Sequence, residues 1–226
     1  IEYYNTSTPQ AASLVLQDLT FTADSTGSAG NAISIEYLDW IPPVTAEVAV
    51  GDVNYTALTS GAGGNSISVT YVVSGASIIV GVIGNAITVT FPTGSTALAI
   101  KNAVNAALTG LVSAAITGTG TEVQTAHAAT FLAGGANAVG QAGSEVVTVV
   151  GNAITVRLQG GISTATQVKA ALDASGPAAA LINTTISGIG GNQQVAPIAL
   201  TNLSGGTDSV GSPGSEVITV TGRRIR

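Results

Sequence analysis

The chain of 226 residues contains no cysteine and no methionine. Without cysteine it cannot form a disulfide, a thiolate metal site or a thiol nucleophile, and its redox compartment cannot be inferred. Its only histidine is His127, so a zinc site built from His and Cys ligands is excluded. The chain opens at Ile1, which we interpret as processing or as a leader outside the numbered sequence.

Charged residues are also scarce, at 8% of the chain against about 25% in ordinary soluble domains. The net charge is −6, and the basic residues are scattered except for Arg223, Arg224 and Arg226. Nucleic-acid binding needs a basic face, so we expect no nucleic-acid partner. A surface with so little charge is poorly protected against association, and we expect neighbouring subunits to cover much of it.

Long apolar runs are missing as well. Stretches such as Ser77–Ile83 are far shorter than the ~20 residues of a membrane helix, so we predict no membrane insertion. Aromatic residues make up only 4% of the chain, which argues against a row of aromatics that binds carbohydrate. The hydrophobic content of 45% is nevertheless high enough for a folded core.

A repeated phrase of Gly, Asn, a small residue and Ile is the most informative feature present. It begins at Gly30, Gly64, Gly84 and Gly151, and each copy is followed by alternating apolar and polar residues. Gly and Asn tolerate positive φ, so each pair predicts a tight turn that leads into a half-buried strand. The glycine-rich stretch 61–64 is likewise interpreted as a hairpin turn.

The repeats form two kinds of half-module. Shorter front halves lie at 19–39 and 53–73, and longer back halves, each ending in a Gly-Gly turn, lie at about 77–137 and 143–208. This duplication predicts an α+β fold that is predominantly β, with two duplicated antiparallel-sheet modules that each carry one short helix.

Each predicted helix has a cap and an apolar stripe. The first begins at Ser95 or Thr96 and runs to about Leu108, with Ile100, Val104 and Leu108 on one face. The second begins at Ser163 or Thr164 and ends at Gly176-Pro177, with Val168 and Leu172 on one face.

The half-modules follow one another in the order front, front, back, back, which allows two arrangements. They can form two tandem domains, or one module can be nested inside the other. Nesting predicts the following divisions: an N-terminal arm at 1–18, module 1 at 19–52 plus 140–208, module 2 at 53–137, and a C-terminal arm or strand at 209–226.

The C-terminal segment 214–220 nearly repeats 143–149. It either completes a sheet of its own subunit or pairs with a neighbouring chain, since an unpaired strand exposes free backbone groups. Trp40, which lies beside two prolines, is either an interface anchor or a core residue. Our candidate assembly residues are Tyr3, Tyr4, Trp40, Val217, Ile218 and Val220.

No recognisable catalytic, cofactor or metal motif is present. The sequence has no G-x-S-x-G elbow, phosphate-binding loop or calcium loop, and its acidic residues are dispersed. We interpret His127 as a hydrogen-bonded structural residue. The prediction is a protein that is not an enzyme, with no catalytic residues, no cofactor, no metal and no small-molecule substrate.

The segments LTFTADSTGSAGNAISIEYLD, GNAITVTFPTGSTALAIKNAVNAAL and ALTNLSGGTDS resemble a module repeated in structural proteins of tailed bacteriophages. The resemblance spans about 19–208 and implies a role in the virion, in a tail or as capsid decoration, without enzymatic activity. The implied partners are copies of the chain and other structural proteins of the same assembly. The alternatives are an extracellular filament or surface-layer subunit that exchanges strands, and a carbohydrate-binding module.

Overall fold

The computed structural model describes residues 7–107 and 110–210. These residues divide into two compact units. The continuous unit is Pro42–Ala138, and the split unit comprises the described residues up to Ile41 and from Val139 onward. One whole unit therefore stands, along the chain, between the two parts of the other.

Both units contain the same succession of strands with a helix before the sixth strand, and the split unit has one further short helix. The strands of the first part of the split unit are β1 (Ala11–Leu16), β2 (Leu19–Thr26) and β3 (Ser34–Asp39). Those of the continuous unit are β4 (Glu47–Val50), β5 (Val53–Ala57), β6 (Ser68–Val73), β7 (Ile79–Ile83), β8 (Ala86–Phe91), β9 (Val112–Ile116) and β10 (His127–Phe131). The split unit is completed by β11 (Val146–Val150), β12 (Ala153–Leu158), β13 (Ile182–Ile186) and β14 (Ile198–Asn202). The α-helices of the described residues are α1 (Ala97–Ala107), α2 (Ala165–Ala174) and α3 (Gly176–Ala179).

This content confirms the predicted α+β, predominantly β fold, but the sheets are not antiparallel throughout. Each unit has a three-stranded antiparallel sheet, with the orders β1-β2-β13 and β4-β5-β9. Each also has a mixed four-stranded sheet, ordered β11-β12-β3-β14 or β10-β6-β8-β7. In each of these mixed sheets the two central strands are parallel, β3 with β12 and β6 with β8. One strand of each pair comes from a front half and the other from a back half.

The four Gly-Asn phrases adopt two different geometries. Gly84 and Gly151 have φ near +57° (+56° and +59°) and close the β7–β8 and β11–β12 hairpins, as predicted. The other two phrases lie instead in the 3₁₀ helices Ser28–Ala32 and Ala62–Ser66, which connect strands of different sheets. The prediction of a hairpin turn at 61–64 was therefore wrong, and the tight turn predicted at Gly30 is a 3₁₀ helix that leads into β3.

The asparagines of those two 3₁₀ helices hold the closing Gly-Gly turns. Asn31 Nδ2 donates to Gly206 O at 3.0 Å, and Gly206 N donates back to Asn31 Oδ1 at 2.9 Å. Asn65 and Gly135 repeat this exchange at 2.9 Å in both directions. We call these contacts the clasps. They join the front half of each unit to the end of its back half.

Each unit has its own hydrophobic core, and a helix of that unit contributes buried side chains to it. Helix α2 begins with a capping box, in which the Thr164 side chain accepts from Gln167 N and the Gln167 side chain accepts from Thr164 N. Val168 and Leu172 are buried, as predicted, and so are Ile100 and Val104 of α1. Leu108 lies outside the described residues. The short helix α3 was not predicted.

The structure corrects two predicted divisions. Strand β4 pairs with β5 in the continuous unit, so the boundary follows Ile41 and does not lie between residues 52 and 53. Strand β1 pairs with β2, so 11–16 are part of the split unit and not of an N-terminal arm. The physical reason is the same in both units. The first strand, β1 or β4, pairs with the strand that follows it, β2 or β5, and covers its otherwise free edge.

Candidate assembly surface

Strand β7 forms an apolar, uncharged edge of the continuous unit. Among the described residues it pairs only with β8, so its other side has free backbone groups. Ile79 is 61% exposed, Ile83 is 87% exposed, and Val82 is also exposed. We call these three side chains and the backbone beside them the β7 edge. An exposed apolar edge without charge or proline is the geometry that favours pairing with another strand.

The equivalent strand of the split unit repeats this feature. Strand β11 pairs only with β12 among the described residues. Val146 and Val150 are exposed, Val150 to 75%, while Val147 and Val149 point inward against the core. Val146, Thr148 and Val150, with the adjoining backbone, form the β11 edge. Within the described residues, β7 and β11 thus each present an apolar edge without a second strand partner.

The outer faces next to the two edges differ in charge. Beside β7, the outward positions of β8 include Thr88 and Thr90, which are opposite Gly81 and Ile79. At the corresponding position of β12 stands Arg157, opposite Val146. Arg157 Nη1 donates to the Asp39 carbonyl oxygen. The face of the continuous unit is therefore uncharged at a position where the split unit carries an arginine.

Trp40 is the one predicted assembly residue that the structure describes. It follows β3 and is half-buried, and its backbone nitrogen donates to Asp39 Oδ1 at 2.9 Å. The next residue, Ile41, is exposed. Tyr3, Tyr4, Val217, Ile218 and Val220 lie outside the described residues.

His127 lies on β10 against a buried tyrosine pair. Its ring meets Tyr71 edge-on, with the ring centroids 5.8 Å apart, and the hydroxyl oxygens of Tyr71 and Tyr55 are 2.7 Å apart. Burial raises the pKa of Tyr71 to about 12, so this phenol stays protonated at neutral pH. Tyr55 and Tyr71 are buried residues of the core of the continuous unit.

The hydrogen-bonded pair Asp52 and Gln124, near His127, has an equivalent in the split unit. Gln124 Nε2 donates to Asp52 Oδ2 at 2.9 Å, and Gln124 Oε1 accepts from Asp52 N at 3.0 Å. In the split unit, Gln194 Nε2 likewise donates to Asp18 Oδ2, at 3.2 Å, although Ile198 replaces the histidine. The hydrogen bond from Asn192, followed by that from Gln194, lowers the pKa of Asp18. A pair repeated without the histidine is structural.

The described residues bring together no group of three or more His, Asp or Glu side chains that could hold a metal ion. Nor is any helix among them long and apolar enough to cross a bilayer.

The β7 and β11 edges were not predicted from the sequence. A signal was available, because 78–83 is apolar at both alternating positions whereas a half-buried strand is apolar at only one. No protein-family model, curated protein or solved structure matches the chain.

Proposed function

We propose that the chain is a structural subunit of a bacteriophage virion, either a tail or a capsid-decoration component. It assembles with copies of itself and with other structural proteins through uncharged β surfaces. The observation that carries the assembly proposal is the β7 edge, where Ile79 and Ile83 are exposed on a strand that pairs on one side only among the described residues. The virion location rests on the resemblance of the repeated segments to phage structural modules.

Burial of these edges supplies the driving force. Apolar surface removed from water contributes about 25 cal/mol per Å², and strand pairing adds backbone hydrogen bonds at the same contact. Because the described part of one chain includes the β7 and β11 edges, each copy can contact two neighbours. Contacts of that kind generate closed rings when the rotation between copies closes, and open filaments when it does not.

The open case corresponds to the second candidate, an extracellular filament or surface-layer subunit. The observation that favours it is the presence of an edge in each unit, which is compatible with unlimited growth. Both candidates share the same contact chemistry and differ in the closure of the assembly.

Negative-stain electron microscopy of the purified full chain tests the proposal. Closed rings or tubes of fixed diameter support the virion role, and open-ended fibrils of variable length support the filament. Ile83→Lys places a charge on the β7 edge and should abolish either assembly. Leu98→Lys is the matched control, since Leu98 is exposed on α1 of the same unit. Dispersed single molecules of the unsubstituted chain contradict the filament and self-assembly through the β7 edge, and favour decoration of a lattice that other proteins form.

A further inference from the structure

Helix α1 closes the free edge of a neighbouring strand through one asparagine. Strand β9 is the last strand of the sheet β4-β5-β9 and pairs only with β5 among the described residues. On its other side, Asn105 Nδ2 donates to Ala114 O at 2.8 Å, and Ala114 N donates to Asn105 Oδ1 at 2.8 Å. A carboxamide has a donor and an acceptor on two separate atoms, so it satisfies both backbone groups of one residue.

An aspartate, Asp173, takes the place of this asparagine in the split unit. It follows the buried Leu172 of α2 as Asn105 follows the buried Val104 of α1. An ionised carboxylate has no hydrogen to donate to a carbonyl oxygen. Asp173 instead forms an ion pair with Lys169, one turn earlier on the helix. The edge of β13 therefore lacks the side-chain bridge that closes the edge of β9.

The backbone groups without this bridge belong to Thr184. In the pairing register of the two sheets, Thr184 of β13 corresponds to Ala114 of β9. Ser187 N donates to Asp18 O across the sheet, and backbone groups alternate in direction along an antiparallel strand. The N–H and carbonyl groups of Thr184 therefore point away from β2. No side chain of the described residues forms a hydrogen bond with either of them.

A cleft of about 280 Å³ opens at this point between α2 and β13. We call it the α2–β13 cleft, and its lining includes Thr184, Asp173, Lys169, Asp24 and Ala179. Ala179 belongs to α3, which has no counterpart among the described residues of the continuous unit. The cleft thus joins an unsatisfied backbone donor and acceptor to a charged rim.

We propose that the α2–β13 cleft binds the side-chain carboxamide of an asparagine or glutamine from a partner protein. The carboxamide oxygen accepts from Thr184 N, and its NH₂ group donates to Thr184 O, in the geometry that Asn105 adopts at Ala114. A carboxylate side chain would satisfy only the N–H group and would be repelled by Asp24 and Asp173. A lysine or arginine side chain would satisfy only the carbonyl oxygen.

This inference goes beyond the proposed assembly through strand edges. The cleft shares no residue with the β7 and β11 edges, and its occupant is a single side chain and not a strand. One carboxamide forms two hydrogen bonds, so the contact contributes specificity to a larger interface more than it contributes affinity.

The test is a titration of the full chain with N-acetyl-L-glutamine N-methylamide, followed in ¹H–¹⁵N correlation spectra. We expect a saturable shift of the Thr184 amide resonance. N-acetyl-L-glutamate N-methylamide, which has a carboxylate in place of the carboxamide, should bind at least about tenfold more weakly because it cannot donate to Thr184 O. No response of Thr184, or equal binding of the two compounds, would overturn the proposal. Tighter binding of free L-glutamine than of the capped residue would overturn the protein occupant in favour of a small molecule.

Asp173→Asn and Asn105→Asp are the matched pair of variants. Asp173→Asn supplies the bridge seen at Ala114, so it should abolish the response to the capped glutamine and slow hydrogen exchange of the Thr184 amide at least about tenfold. Asn105→Asp makes the reverse change and should speed exchange of the Ala114 amide by a similar factor. Retained binding in Asp173→Asn, or an unchanged exchange rate at Ala114 in Asn105→Asp, would contradict the proposal. Because Asp173→Asn adds hydrogen bonds at an exposed helix position, its result is decisive even where Asn105→Asp unfolds its unit.

Discussion

The continuous and split units share one framework but treat their buried tyrosines differently. In the continuous unit the hydroxyls of Tyr55 and Tyr71 are 2.7 Å apart and satisfy each other. In the split unit Phe21 stands at the position of Tyr55, and the buried hydroxyl of Tyr37 has no hydrogen-bond partner among the described residues. The fold therefore tolerates the loss of this hydrogen bond, whereas it keeps the clasp in both units.

A contact beside each clasp differs between the units, both in charge and by one side-chain hydrogen bond. Asp208 accepts hydrogen bonds from Ser28 N at 2.8 Å and Ser28 Oγ at 2.7 Å. At the same places in the continuous unit, Asn137 Oδ1 accepts from Ala62 N at 2.8 Å. The backbone contact is common to both, and only the split unit adds an ionisable group. The backbone contact is thus a common feature of the module, whereas the side chain at the position of Asp208 and Asn137 varies in charge.

The clasp should be the most sensitive point of either unit. A Cβ on Gly135 would lie 2.5 Å from the Gly61 carbonyl oxygen, so Gly135→Ala should destabilise the continuous unit by about 3 kcal/mol. Gly63→Ala is the control, because nothing lies within 4 Å of its Cβ position and Ala29 already occupies the equivalent place. Urea unfolding measures both free energies of unfolding. Equal stability of the two variants would contradict this account of the clasp.

Substitutions that give each unit the hydroxyl pattern of the other should change its stability by an intermediate amount. Phe21→Tyr supplies a partner for the Tyr37 hydroxyl and should stabilise the split unit by about 1 kcal/mol. Tyr55→Phe removes the partner of Tyr71 and should destabilise the continuous unit by about 1 to 3 kcal/mol. Hydrogen–deuterium exchange at the backbone amides of β3 measures the stability of the split unit, and exchange at those of β6 measures that of the continuous unit. If Phe21→Tyr lowers stability, the hydroxyls do not meet as they do in the continuous unit.

The smallest effect should be the response of the Asp208–Ser28 contact to acid. Hydrogen bonds from the Ser28 side chain and then its backbone hold the pKa of Asp208 below its ordinary 3.8. Its contribution is therefore complete above pH 3.8 and is lost as the pH falls through the lower pKa of the folded state. Asp208→Asn, which copies Asn137, should reduce the acid sensitivity of the split unit. Thermal unfolding measured below about pH 4 checks this, and an unchanged pH dependence would contradict it.

The local elements could be predicted from the sequence because neighbouring residues determine them. The hairpins at Gly84 and Gly151 follow from the need for positive φ, and α2 begins at the cap provided by Thr164. The same Gly-Asn pair at Gly30 does not make a hairpin, because the positive φ there falls on Gly27. The same Gly-Asn motif thus adopts different backbone geometries, depending on the residues that precede it.

Long-range pairing could not be predicted in the same way. The parallel alignment of β3 with β12 joins strands separated by the whole continuous unit, and local alternation contains no information about such a partner. The edges of the candidate surface depend on this sheet order. Ile79 and Ile83 could be recognised as strand residues from the sequence, but their exposure follows only once β7 is known to have one neighbour.

The mass of the purified chain in solution tests most directly whether the β7 and β11 edges drive assembly. Multi-angle light scattering over rising concentration should give masses that increase above the 22.0 kDa of one chain. The double variant Ile83→Lys, Val150→Lys should stay at 22.0 kDa, while Leu98→Lys should associate like the unsubstituted chain. An unsubstituted chain that remains at 22.0 kDa, or a double variant that associates equally well, would contradict the account.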